Sequence, residues 1–242
     1  MSARPSVIVV GAGISGLSAA HRLQAMGCTT RVLESSSRTG GRMSSRRHQG
    51  FTINRAANIL PTSYRAVADL VDELGMGQQI RAVPGVLAVP RGGRLHRLRP
   101  AGRRLVSDAL TTGLLSGRAK AGLVRMAADA VRLRSSLSYA NLGRAAGFDT
   151  MTAAEYCDRH LSSEAYTYLV DPIVRALFTT DADRVSIVDF FFAAVNFVGA
   201  GFWQYGGGTG FVTDALASAL DVKTGVEVTE IVEEGDRVVV SC

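Results

Sequence analysis

VIVVGAGISG, residues 7–16, is the stretch from which the rest of the chain is read. Val7, Ile8, Val9 and Val10 are apolar and β-branched, the composition of a buried parallel strand. Gly11, Gly13 and Gly16 follow in the spacing G-x-G-x-x-G, and a helical repeat through Leu17, Ala20 and Leu23 follows them. Each glycine has its own reason. Gly11 permits the tight strand-to-helix turn, Gly13 lets backbone approach a pyrophosphate, and Gly16 lets helix and strand pack closely. The helix start then offers N–H groups and the positive end of its dipole to phosphate. A second strand is expected over 30–33, ending in Glu34. That carboxylate lies 18 residues beyond Gly16, near the ~20 expected of a group that hydrogen-bonds ribose hydroxyls. The three features together describe a dinucleotide-binding turn.

Arg38-Thr39-Gly40-Gly41-Arg42 comes directly after the acid. A second glycine pair with an arginine suits another approach of backbone to phosphate, the guanidinium pairing its charge. With VIVVGAGISGLSAAHRL, VLE, GGR and GFTIN (residues 50–54), the chain resembles the FAD-dependent amine oxidase superfamily. That group takes in monoamine and polyamine oxidases, protoporphyrinogen oxidases and phytoene-type desaturases. The resemblance implies FAD as cofactor, with Glu34 at the adenosine ribose and Gly41 and Arg42 at the phosphates. The cofactor-binding set it implies is Gly11, Gly13, Ile14, Ser15, Gly16, Glu34, Ser35, Gly41, Arg42, Asn58, Ile59 and the backbone of Val228, which would meet the adenine. Asn54 stands where the family carries an acid, and Ala56-Ala57 replaces its usual glycine pair. Ala57, Asn58 and Ile59 thus read either as neighbours of the flavin or as core residues.

The chain has 242 residues, 47% of them hydrophobic, enough for a sizeable core and one or two domains. No apolar run reaches the ~18 residues that span a membrane. The chain enters a strand at once, with no signal-peptide pattern. Cys28, Cys157 and Cys242 are far apart and form neither a C-x-x-C pair nor a disulfide framework, which fits a reducing cytoplasm. His21, His48, His96 and His160 show no metal-ligand spacing, so no metal is expected. The net charge of +6 is uneven: residues 91–134 hold eleven Arg and Lys against two Asp, a net +9, and the rest sums to −3. This run reads as a solvated arginine-rich face, or as a basic rim for an anionic substrate, membrane surface or partner. Nucleic acid is disfavoured, since no aromatics interleave and no known binding module is present.

Helical spacing predicts a helix over 64–74, stopped by Gly75. Residues 86–89 and 94–98 flank a glycine turn and read as a hairpin. Residues 105–198 read as mainly helical, with helices over 121–134 and 164–178, the latter broken or kinked at Asp171-Pro172. Thr152 and Glu155 form a capping-box pattern, and Ser186 a helix N-cap. The aromatic run 188–202 reads as a core helix or as the wall of a cavity for a bulky apolar substrate. After Gly206-Gly207-Gly208-Thr209-Gly210 come a helix over 211–220, a strand over 226–231 and a return strand over 237–241.

The fold class expected is α/β: a Rossmann-type FAD-binding domain (1–80 and 204–242) interrupted by a mainly helical substrate domain (81–203). The resemblance implies a further ~200 residues, so the chain reads as the FAD-binding, N-terminal half of a flavoenzyme. Its expected partner is a C-terminal-half flavoenzyme subunit, in a heterodimer. The implied chemistry is oxidation of a C–N or C–C bond of a small apolar or polycyclic substrate by hydride transfer to FAD. No catalytic residue is assigned, because the cofactor carries the difficult step. A non-catalytic or regulatory FAD-binding subunit, or a decayed flavoenzyme, is the alternative. An NAD-dependent dehydrogenase is opposed by Gly40-Gly41-Arg42, and NADP by Glu34, which would repel a 2′-phosphate.

Overall fold

A computed structural model describes residues 4–99, 104–140 and 142–242. In chain order its elements begin with β1 (Ser6–Val10), α1 (Ile14–Ala25), β2 (Thr29–Glu34), β3 (Ser45–His48), β4 (Phe51–Asn54) and α2 (Arg65–Glu73). Next come β5 (Ile80–Val83), β6 (Leu87–Arg91), β7 (Arg94–Leu98), α3 (Arg104–Thr111), α4 (Gly117–Leu133), α5 (Ala153–His160), α6 (Ser163–Ala165), α7 (Asp171–Phe178) and α8 (Ile187–Phe197). The last are β8 (Phe202–Tyr205), α9 (Gly210–Ser218), β9 (Val222–Thr224), β10 (Glu230–Glu234) and β11 (Arg237–Ser241). Two compact units result. One gathers the chain up to Leu60, Tyr64–Arg81 and Trp203–Cys242; the other holds Pro61–Ser63 and Ala82–Phe202.

The first unit is built on a parallel sheet in the order β1-β2-β9. β1 and β2 run in register from Ser6 opposite Thr29 to Val10 opposite Leu33, and β9 joins with Val222 opposite Val32. Parallel neighbours need a crossover, and α1 supplies it. Its Leu17 and Ala20 are fully buried against Val32 and against Val212 and Leu216 of α9. Each large apolar side chain so buried contributes about 1.5–3 kcal/mol relative to exposure. The sequence reading of 7–10 as a buried strand needs correction. β1 lies at the sheet edge, and Ile8 and Val10 are 44% and 51% exposed while Val7 and Val9 are half-buried. An apolar run marks a strand that is to be covered on both faces, and among the described residues only one face is.

The reading of a strand over 226–231 also changes. Residues 226–229 lie outside any strand, and pairing resumes in β10, which forms an antiparallel hairpin with β11. The alternation of apolar and polar residues was real, but Gly225 (φ +71°) turns the chain out of β9 first. Val226 then spends its N–H on the carbonyl of Glu34, at 2.9 Å, and Gly225 spends its own on that of Ser36.

The second unit is mainly helical. Tyr156, Val170, Val174, Ile187, Phe190 and Phe191 form its core with Leu133 of α4. The capping box at Thr152 and Glu155 is complete, and the Ser186 hydroxyl caps α8 through the N–H groups of Val188 and Asp189. β6 and β7 form the expected hairpin. The aromatic helix is shorter than its composition suggests: α8 ends at Phe197, and Phe202 and Trp203 belong to β8. Gly199 (φ +87°) and Gly201 separate the two. The expected interruption at Asp171-Pro172 is present: a π-turn over Tyr166–Val170 ends directly before α7, whose first turn holds Pro172, where a missing N–H costs little. Among the described residues no helix is long and apolar enough to cross a membrane.

Candidate functional site

The site is assembled at the carboxyl ends of β1 and β2, the place where open parallel sheets bind ligands. Gly11 leaves β1 with φ +96°, a conformation that L side chains rarely adopt, and its N–H donates to the Leu33 carbonyl at 2.7 Å. Gly16 solves a packing problem. A Cβ there would stand 2.0 Å from the Gly11 carbonyl oxygen, so the first turn of α1 can close on the loop only without a side chain. At Gly13 a Cβ would meet nothing within 4 Å. The space beside it is open, and Gly13 itself offers no side chain to cap the first turn of α1. Such an uncapped helix start beside an open glycine cradle suits a diphosphate.

Glu34 faces the same turn. Its Oε2 accepts from the Ala12 N–H at 2.8 Å, and its Oε1 accepts from the N–H and hydroxyl of Ser36 at 2.9 and 2.7 Å. Burial works to raise its carboxyl, but the bonds from Ser36, Ala12 and Ser35 outweigh burial and hold it below its ordinary value. Glu34 is therefore an ionised acceptor: Oε1 is filled by its two bonds from Ser36, and Oε2, which accepts from Ala12, is the oxygen with a lone-pair direction for a ribose hydroxyl.

Gly40 fastens the second loop to the first. Its N–H donates to the Ala12 carbonyl at 2.7 Å, and its φ of +96° opens the single turn Gly41–Met43. A Cβ on Gly41 would stand 3.3 Å from the Gly13 Cα. Arg42 is exposed, and its guanidinium makes no hydrogen bond or ion pair among the described residues. The structure thus brings Gly11, Gly13, Ile14, Ser15, Gly16, Glu34, Ser35, Gly41 and Arg42 to one end of the sheet. Val228 follows the segment held by Glu34 through Val226. Asn58 and Ile59 are exposed and joined to this end only through the neighbouring Ala57, whose N–H donates to the Arg42 carbonyl at 3.0 Å.

Sequence reasoning missed what fixes the second loop from behind. Asn54 Oδ1 accepts from the Ser45 hydroxyl at 2.8 Å and from the Thr209 N–H at 3.1 Å. Ser45 Oγ in turn accepts from the Gly210 N–H at 2.8 Å, and the buried Thr209 hydroxyl donates to the Met43 carbonyl at 3.2 Å. Asn54, which departs from the family pattern as an acid, is here a clamp between GFTIN and the GGGTG segment. The signal available was two glycine-rich stretches, but nothing in their spacing says that they meet.

Among the described residues no group of three or more His, Cys, Asp or Glu could hold a metal ion. Much of the basic run is engaged. Arg91 pairs with Glu164 and lies over the Tyr168 ring, Arg99 pairs with Asp108, and Arg125 and Arg132 flank Asp129.

Protoporphyrinogen oxidase 2 of Arabidopsis thaliana is 29% identical over 183 residues, which cover 75% of this chain and 34% of that protein. An L-amino-acid oxidase of Sistrurus catenatus edwardsii is 41% identical over 70 residues, covering 29% of this chain and 14% of that one. The solved structure of cyclohexylamine oxidase from Brevibacterium oxydans shares the fold with a TM-score of 0.71 at 22% identity, covering 99% of this chain and 56% of that one. The chain thus spans about a third of the protoporphyrinogen oxidase it matches and little more than half of that solved structure. The model of the flavin containing amine oxidoreductases matches residues 14–242, and the chain belongs to that family.

Proposed function

We propose that this chain holds the adenosine and diphosphate of FAD in an oxidoreductase that oxidises a C–N or C–C bond of a small apolar or polycyclic substrate. One observation carries the reading. An ionised Glu34, fixed by Ala12 and Ser36, stands beside a glycine turn whose open side would accept backbone-to-phosphate contact. In that arrangement Glu34 accepts from the ribose hydroxyls. The N-terminus of α1 and the N–H groups of Gly13 to Gly16 face the diphosphate, and Arg42 adds a guanidinium. Bound flavin supplies the hydride acceptor; the chain binds it, orients it and excludes water around it.

The exposed edge of β1 supports a second part of the proposal, completion of the enzyme by a C-terminal-half flavoenzyme subunit in a heterodimer. Ile8 and Val10 on that edge, and Ile231 and Val238 on the β10–β11 hairpin, are large exposed apolar residues. Exposed apolar strands with one unpaired edge are association or aggregation sites unless covered.

The test is a visible absorption spectrum of the purified chain, alone and after co-expression with a C-terminal-half polypeptide of the family. Flavin bands near ~450 nm in either sample, with FAD released on denaturation, are the expected result. A colourless protein in both, with no FAD taken up on titration, overturns the reading.

A further inference from the structure

Within the helical unit a cavity of about 210 Å³ opens beside α4 and α5. Its floor is apolar, made by Phe148, Met151, Ile187 and Phe191. Its mouth carries Arg125, Asp129 and Arg132, spaced so that α4 presents all three on one face. Asp129 is only 7% exposed. Its Oδ2 accepts from the Tyr156 hydroxyl at 2.8 Å and from Arg125 Nε at 2.9 Å, and Arg132 stands 3.5 Å from its Oδ1. The carboxylate is therefore spent inside the protein. The two arginines are not. Their side chains are 59% and 62% exposed, and a guanidinium has five N–H donors, most of them left over here.

Two positive charges against one negative leave the mouth at net +1. Arg125 is oriented by its bond to Asp129, and Arg132 by that carboxylate and by the Phe148 ring, 4.6 Å from its guanidinium carbon. His160 also lines the cavity, its ring 4.8 Å from that of Tyr156. A pre-oriented pair of guanidinium forks over an apolar floor matches a carboxylate on a hydrocarbon body. The volume lies below the ~300–1,000 Å³ of pockets for drug-sized ligands, so the body is no larger than one ring with a short chain.

We propose that this cavity binds a small aryl or alkyl carboxylate, its carboxyl group held by Arg125 and Arg132 and its apolar body on Phe148, Met151 and Phe191. The site lies wholly within the helical unit, and the inference does not rest on the flavin reading.

The test uses phenylpropionate as probe and phenylpropanol as its neutral analogue, with the intact chain, by calorimetry and NMR. Phenylpropionate is expected to bind saturably with Kd on the order of 1 mM or below, and phenylpropanol about tenfold or more weakly. Nuclear Overhauser contacts from the probe ring to the Met151 methyl group and the Phe148 ring place it in the cavity. Arg132→Gln should weaken phenylpropionate about tenfold while leaving phenylpropanol unchanged. That split separates lost charge from lost folding. Val124→Ser, an exposed change on the same helix away from the cavity, should alter neither. Equal binding of acid and alcohol, contacts only to other residues, or no saturable binding at ~10 mM overturns the proposal.

Discussion

The Ala12 N–H and the Glu34 Oε2 are 2.8 Å apart although 22 positions separate them in sequence. This bond holds the glycine turn after β1 against the end of β2, and it takes up an N–H that would otherwise be unpaired at the loop. Glu34→Gln keeps the shape but sets an amide NH₂ against one of the donors on Ala12 and Ser36. Hydrogen bonds to charged groups contribute about 1.5–3 kcal/mol when well shielded, and the partial exposure of Glu34 puts this loss nearer 1 kcal/mol. On the proposed reading FAD also draws on the ionised acceptor, so its affinity should fall about tenfold or more in a fluorescence titration. Unchanged affinity would place the ribose elsewhere.

Gly13 and Gly16 belong to one motif but answer to different forces, and alanine separates them. At Gly13 φ is −75° and a Cβ enters open space. Gly13→Ala should therefore leave the urea midpoint unchanged or raise stability by about 0.4–1 kcal/mol, while FAD uptake is lost because the Cβ occupies the phosphate side. Gly16→Ala drives a methyl group against the Gly11 carbonyl. Overpacking of this kind costs about 1–3 kcal/mol, so this variant loses stability and cofactor together. If Gly13→Ala binds FAD normally, the open side of the turn is not the phosphate site.

How much of this was legible in the sequence follows from the range of the forces. The glycine turn after β1 could be read because Gly11 and Gly16 act on one another across five positions. The capping box at Thr152 and the N-cap at Ser186 were equally local. What escaped was set by long-range contact. Val226 is apolar and looks like strand, but its N–H is claimed by Glu34, nearly two hundred positions earlier. Phe202 continues an aromatic run, but glycines at 199 and 201 release it into β8. The Asp129–Tyr156 hydrogen bond, at 2.8 Å, joins two helices that share no motif.

Asn54 offers a test of the clamp behind the second loop. Its Oδ1 accepts from two donors, the Ser45 hydroxyl and the Thr209 N–H. Asn54→Ala strands both, at about 1–2 kcal/mol from the unpaired donors. Asn54→Asp keeps an acceptor in place and should retain most of the stability. Thermal unfolding of the three proteins should rank wild type and Asn54→Asp above Asn54→Ala. Equal midpoints for all three would mean that GGGTG is held by other contacts.

Glu164 makes the stability of the helical unit depend on acid pH. The Ser116 hydroxyl donates to its Oε2 at 2.5 Å, the Ser116 N–H donates to the same oxygen at 3.1 Å, and Arg91 pairs with its Oε1. The bonds from Ser116 and Arg91 hold its carboxyl down at about 2. An unfolded glutamate titrates near ~4.3. The unfolded chain thus binds the proton first, so stability rises with pH across this window. The contribution is whole above ~4.3 and is lost as pH falls through about 2. Glu34 and Asp129 are also held below their ordinary values and add slopes of the same sign. Glu164→Gln cannot titrate. Its urea midpoint should lie below that of wild type at pH ~7, and the gap should narrow steadily as pH is lowered from ~4.3 toward 2. A gap that stays constant over that range would show that the charge on Glu164 is not what joins β6 to the start of α4.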